Sequence, residues 1–236
     1  MDLLSNLVSD QGFITFLFRW VHFFAGVTWI GLLYYFNFVQ GSFFAETDAG
    51  TKNNCIQKLV PRALWWFRWG AMVTFITGVL IIGLKVHNFG AEVLTSGWGI
   101  MILPGAFLGT LMWANVWFVI WPNQKTVIQS ATQTAHGGQP LPQAAAAGNR
   151  AGVCSRTNTM FSIPMLFFMG ASSHFQAPVS MESNIGIALL GILAVLVVLE
   201  LNALFGGLGP LKKVSGVITS GFLLTGGLYA LLTAFL

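Results

Sequence analysis

The stretch "RWVHFFAGVTWIGLLYYFNF", Arg19–Phe38, places an arginine and a histidine three residues apart inside a run of aromatic and aliphatic side chains. The run shows no alternation of period two, so it reads as a helix rather than a barrel strand. It is also long enough to cross a bilayer, which takes roughly 17–25 apolar residues at about 1.5 Å each. The rest of the chain has the same character. Of its 236 residues 55% are hydrophobic and only 8% charged, with 11 Lys and Arg and 7 Asp and Glu. So few charges cannot solvate a soluble surface, and the sequence predicts an all-α, polytopic integral membrane bundle, a single membrane domain over residues 1–236 in contact with lipid.

The net charge of +4 rests on few groups and does not indicate a nucleic-acid partner. Cys55 and Cys154 lie in polar segments without CxxC spacing, which points to neither a disulfide framework nor covalent haem c. The first ten residues, "MDLLSNLVSD", are acidic and polar where a signal peptide would have a basic region.

Six spans are predicted, at about 13–38, 63–86, 98–121, 158–175, 184–205 and 214–235. The Gln-, Gly- and Ala-rich 123–157 stretch reads as a surface loop, and no internal repeat is evident. Basic residues cluster on one side: Lys52, Lys58 and Arg62, then Lys125, Arg150 and Arg156, then Lys212 and Lys213, against Lys85 alone on the other. By the positive-inside rule both termini then face outward, across a bacterial cytoplasmic (inner) membrane.

On this topology the polar residues fall into two layers. His22, His87 and His174 sit towards the outer face, while His136 is alone in the inner loop. Two neutral imidazoles on facing helices can hold a b-type haem between them. His22 and His174 are the preferred metal ligands and His87 the reserve. Arg19, at i−3 from His22, shares its helical face and suits a haem propionate. The competing reading makes these histidines interfacial side chains without a ligand.

The inner layer holds Arg68 and Glu200, each roughly 8 Å deep by helix rise. Charges at such depth usually face a bundle interior or cavity. They read either as an ion pair locking two helices or as a catalytic pair, with Asn115, Asn202 and Trp113 as substrate-binding neighbours. The tryptophans at 65, 66, 69, 113, 117 and 121 concentrate in the same layer, as an aromatic belt would. Pro164 and the small residues Gly105 and Gly109 indicate kinking and close helix packing.

Three segments, "HFFAGVTWIGLLYYFNFVQ" (22–40), "PGAFLGTLMWANVWFVIWPNQK" (104–125) and "SRTNTMFSIPMLFFMGASSH" (155–174), resemble the membrane domain of the cytochrome-c-linked urate oxidase family. That resemblance implies a membrane domain that oxidises urate in purine catabolism and passes electrons to a periplasmic c-type cytochrome. The sequence holds no CxxCH motif, so the resemblance makes a c-type cytochrome a partner. The alternative is a non-catalytic subunit, with or without haem b, of a larger membrane complex whose other subunits are its partners. A transporter would show paired broken helices in two halves, and the sequence shows none.

Overall fold

The computed structural model describes residues 11–180 and 182–236. The first ten residues, on which the reading of the N-terminus rests, lie outside the described residues. Among those described, every regular element is helical.

Helix α1 (Gln11–Tyr34) passes through a π-helical segment, Tyr35–Gln40, into the short α2 (Gly41–Glu46). Helix α3 (Ala49–Lys58) starts at Asp48, whose side chain accepts a hydrogen bond from the Thr51 backbone N–H, as an N-cap does. Helix α4 spans Val60–Phe89 and ends at Gly90, whose positive φ of 81° ends it without Cβ strain. Helix α5 (Gly97–Ala114) enters a second π-helical segment, Asn115–Ile120, and continues as α6 (Trp121–Ala135). Helices α7 (Ala144–His174), α8 (Ile185–Phe205) and α9 (Val214–Thr233) complete the chain.

The 123–157 segment departs from the predicted loop: α6 runs on to Ala135 and α7 starts at Ala144, leaving only 136–143 between them. The two polar extensions pack on each other. Buried Ser130 accepts the Leu141 N–H at 2.9 Å, and Gly148 lies against Val127. Alanine-rich sequence favours helix wherever a neighbour covers one face.

Among the described residues, five helical segments are long and apolar enough to cross a membrane: Gly12–Glu46, Val60–Phe89, Gly97–Ala135, Ile185–Phe205 and Val214–Thr233. Helix α7, which contains the predicted fourth span, is not among them. The reason is where it sits. It packs against α5, α6 and α9, and it buries Thr157, Asn158, Thr159, Ser162 and Ser172. Protein rather than lipid covers its polar face, so its sequence need not be uniformly apolar. The other helices carry the reverse pattern, with Phe16, Phe23, Phe24 and Val27 of α1 and Leu190, Val198 and Phe205 of α8 exposed. A soluble protein would not leave so much apolar surface open, whereas lipid covers it without penalty.

Helices α1 and α4 approach closely at Gly70, where a Cβ would lie 3.2 Å from the Trp29 backbone nitrogen and 3.3 Å from the Ala25 carbonyl. Any larger residue there would press on the backbone of α1 and push the helices apart. Phe36 and Phe67 meet edge to face, with ring centroids 5.5 Å apart, and join the first π segment to α4 nearer the basic loops.

Candidate functional site

Both π-helical segments lie towards the end of the bundle that carries the basic loops, and each holds a buried asparagine. A change from i−4 to i−5 bonding puts one carbonyl out of step with the helical ladder, and side-chain amides enter there. Asn37 Nδ2 donates to its own Leu33 carbonyl at 2.9 Å and to Ser155 Oγ of α7 at 2.8 Å. Just before the second segment, Asn158 Nδ2, from α7, donates to the Met112 carbonyl of α5 at 2.9 Å. Asn115 Nδ2 donates to Asn158 Oδ1 at 2.9 Å and to Glu200 Oε2 at 3.0 Å. The two hydrogens of one amide thus tie α5, α7 and α8 together around a carboxylate.

The expected Arg68–Glu200 ion pair does not form. Glu200 takes its hydrogen bond from Asn115, and the Arg68 guanidinium lies over the Trp121 indole, 3.6 Å from the ring centroid and 5.5 Å from that of Trp117. A planar guanidinium is stabilised by the indole faces beside it, and the carboxylate of Glu200 is already taken by Asn115. Arg68 Nε is buried without a hydrogen-bond partner, and so are the indole N–H groups of Trp113 and Trp117. The Trp113 ring stacks on Phe75 at 4.1 Å and 8°, so the aromatic face that meets the cation belongs to Trp121. Lys125 lies 5.6 Å from the centroid of the same ring. The result is a group of hydrogen-bond donors and cations on aromatic faces with no acceptor assigned to it.

Asn202 is not brought to this group. It is exposed, and its Nδ2 donates to the Gly207 carbonyl at 3.2 Å, closing the end of α8 beside a cleft of about 160 Å³ shared with Thr157 and Met160.

In the other layer, half-buried His22 is held against α4. Its Nδ1 lies 3.0 Å from Thr77 Oγ1, and Gly78 leaves room for the ring, since a Cβ there would lie 3.2 Å from His22 Cε1. The Thr77 hydroxyl donates its one hydrogen to the Val73 carbonyl at 2.7 Å, so it accepts from His22 Nδ1–H. The neutral ring then carries its lone pair on Nε2. A hydrogen-bonded N–H opposite an open nitrogen is the arrangement of a metal-ligating histidine, and His22 fits a haem iron on that ground. His174 and His87 are exposed at their helix ends, and the bonds His22 makes lead to α4 rather than to either of them. Arg19, also exposed, lies one turn before His22. Among the described residues no group of three or more metal-binding side chains occurs.

The family model described as urate oxidase N-terminal matches residues 79–204, more than half of the chain. The chain belongs to this family. No curated protein and no solved structure matches it. The urate oxidase N-terminal match contains the Asn115–Asn158–Glu200 network together with Trp117 and Trp121. It stops short of Arg68 and His22.

Sequence reasoning did not single out Asn158. The signal available was "RTNT" (156–159), a polar run at the start of a predicted span. In the sequence Trp117 and Trp121 read as members of the aromatic belt, and the π turn that precedes Trp121 hides that both lie beside Arg68.

Proposed function

We propose that this urate oxidase N-terminal protein is the membrane component of a urate-oxidising system in a bacterial inner membrane, handing electrons to a c-type cytochrome. The observation that carries the reading is Arg68, a cation stacked on Trp121 whose Nε has no acceptor, beside the equally unpaired Trp117 N–H. A planar, oxygen-rich anion answers every part of that group: stacking surface, positive charge and hydrogen-bond donors.

Urate hydroxylation takes up the oxygen of water and releases two protons and two electrons. Arg68 and Trp121 bind and orient the anion, and the fixed charge of Arg68 favours the negative charge that builds up as a proton leaves. Glu200, held by Asn115, is the carboxylate we assign to take that proton. His22 would hold a b-type haem through Nε2, with Thr77 fixing the ring and Arg19 carrying the charge of a propionate. Bound there, the haem supplies one-electron transfer. His174 would be its other protein ligand, with His87 in reserve.

The test compares wild type with Arg68→Gln for thermal stability and for urate-dependent reduction of added cytochrome c, with a dithionite-reduced minus oxidised spectrum to detect haem. The expected result is a folded variant that keeps its haem band and loses the urate response. A folded variant with an unchanged response removes Arg68 from the site. A wild type that has haem and never responds to urate favours the electron-carrying or structural subunit instead.

A further inference from the structure

We infer that Arg156 and Gln40 form a second binding site, for a small ligand that presents an acceptor oxygen and an N–H side by side, as cyclic ureides and lactams do. The two residues lie on either side of the seam between α7 and the first π segment. That seam is closed by the 2.8 Å bond from Asn37 to Ser155, the residue before Arg156. Arg156 Nη1 is buried without a partner, and so is Gln40 Oε1. Among the described residues Arg156 is joined to no carboxylate and no aromatic ring, and Gln40 to no donor. Arg156 Nη2 lies 4.0 Å from the Cβ position that Gly41 leaves empty, which puts the guanidinium beside the end of the π segment with no side chain filling the space between.

A buried donor left unmade is unfavourable, and the penalty grows when the group is charged. Here a buried donor atom and a buried acceptor atom stand at one seam with no hydrogen bond to each other or to any other group, which leaves both free for a ligand. Arg156 calls for an oxygen acceptor, neutral or anionic. Gln40 Oε1 calls for a donor, which a carboxylate or a fully ionised phosphate does not have. An amide edge within a ring supplies both in fixed register, and the planar guanidinium fork matches it. The cluster is a neighbour of the Arg68 group, since Phe36, one turn before Gln40, packs on Phe67, the residue before Arg68, and what it offers a ligand is binding alone. The inference therefore does not depend on urate being oxidised.

Equilibrium binding of radiolabelled urate to the full-length protein in nanodiscs tests it, with benzoate as a competing anion that has no N–H. Wild type is expected to bind two urates per chain, one of them resistant to benzoate. Gln40→Glu gives the guanidinium an internal partner, so it should raise the melting temperature while removing the benzoate-resistant site. Arg156→Gln should remove the same site. Arg68→Gln should remove only the other, and if it removes neither, the urate seat proposed above fails while this one stands. Folded Gln40→Glu and Arg156→Gln proteins that keep full stoichiometry overturn the inference, as does a wild type without a benzoate-resistant site, which would leave water as the occupant.

Discussion

The guanidinium of Arg68 lies 3.6 Å from the centroid of the Trp121 ring, and its Nε hydrogen has no acceptor. A cation–π pair of this kind contributes about 0.5–2 kcal/mol, the larger value when water is excluded. Replacing Trp121 by Leu should therefore weaken urate binding roughly 2- to 30-fold, and Phe should restore part of it. Isothermal titration on the purified variants measures this, and equal affinities for Leu and Trp would refute a stacking role.

Asn115 occupies both of its amide hydrogens, on Asn158 and Glu200. Asn115→Ala leaves two acceptors unsatisfied, at about 1–3 kcal/mol each, so its melting temperature should fall well below wild type. Asn123 is the control, since its amide donates only to Val119 in the preceding turn. Asn123→Ala should melt close to wild type, and similar losses in both variants would show that the network has no special weight.

Thr77 accepts from His22 Nδ1, which orients the ring. Loss of such a supporting partner typically lowers metal affinity about 10- to 100-fold. Thr77→Val should retain less haem than wild type in a reduced minus oxidised spectrum, and Thr77→Ser should retain it. His22→Ala should lose the band altogether and His136→Ala should keep it. Full haem content in His22→Ala rules out the ligand assignment.

At Gly70 an added methyl group meets backbone atoms of α1 and not flexible side chains, so the helices must move apart. Gly70→Ala should destabilise by about 1–3 kcal/mol, the usual range for overpacking. Gly83, on the same helix, has open space at its Cβ position, and Gly83→Ala should be neutral or slightly stabilising. Thermal melts in one detergent compare the two directly.

Asp48, at the start of α3, has its carboxyl pulled below the ordinary carboxylate range by the Thr51 side chain and by the Thr51 backbone N–H. A group whose pKa is lowered on folding adds stability above its unfolded pKa and loses it as the pH falls through the folded one. Protection of the Thr51 amide from hydrogen exchange, corrected for intrinsic exchange, should drop on acidification below the carboxylate range. The Asp48→Asn protein should show no such step, and a step of equal size in both would point to another group.

The sequence alone determined the class of the molecule, because a chain with 8% charged residues has only lipid and its own core to bury its side chains in. It also placed α4, α8 and α9 to within a few residues, and it marked His22, Arg68, Asn115 and Glu200 as polar groups in apolar runs. Family membership too was legible, in the 104–125 and 155–174 segments that fall inside the matched region. Which polar group meets which was decided by the tertiary structure. Each i−5 turn inserts a residue and rotates the rest of the helix by about 100°, so a straight 3.6-residue reading misassigns the faces beyond Asn37 and Asn115. That rotation helps direct Trp121 rather than Glu200 to Arg68, and Glu200 to Asn115. Asn202 shows the same limit at a helix end, where its amide closes α8 on Gly207 instead of joining the inner layer. Helix α7 is the clearest case, because hydropathy reports whether a face can touch lipid and says nothing of a helix whose neighbours are other helices.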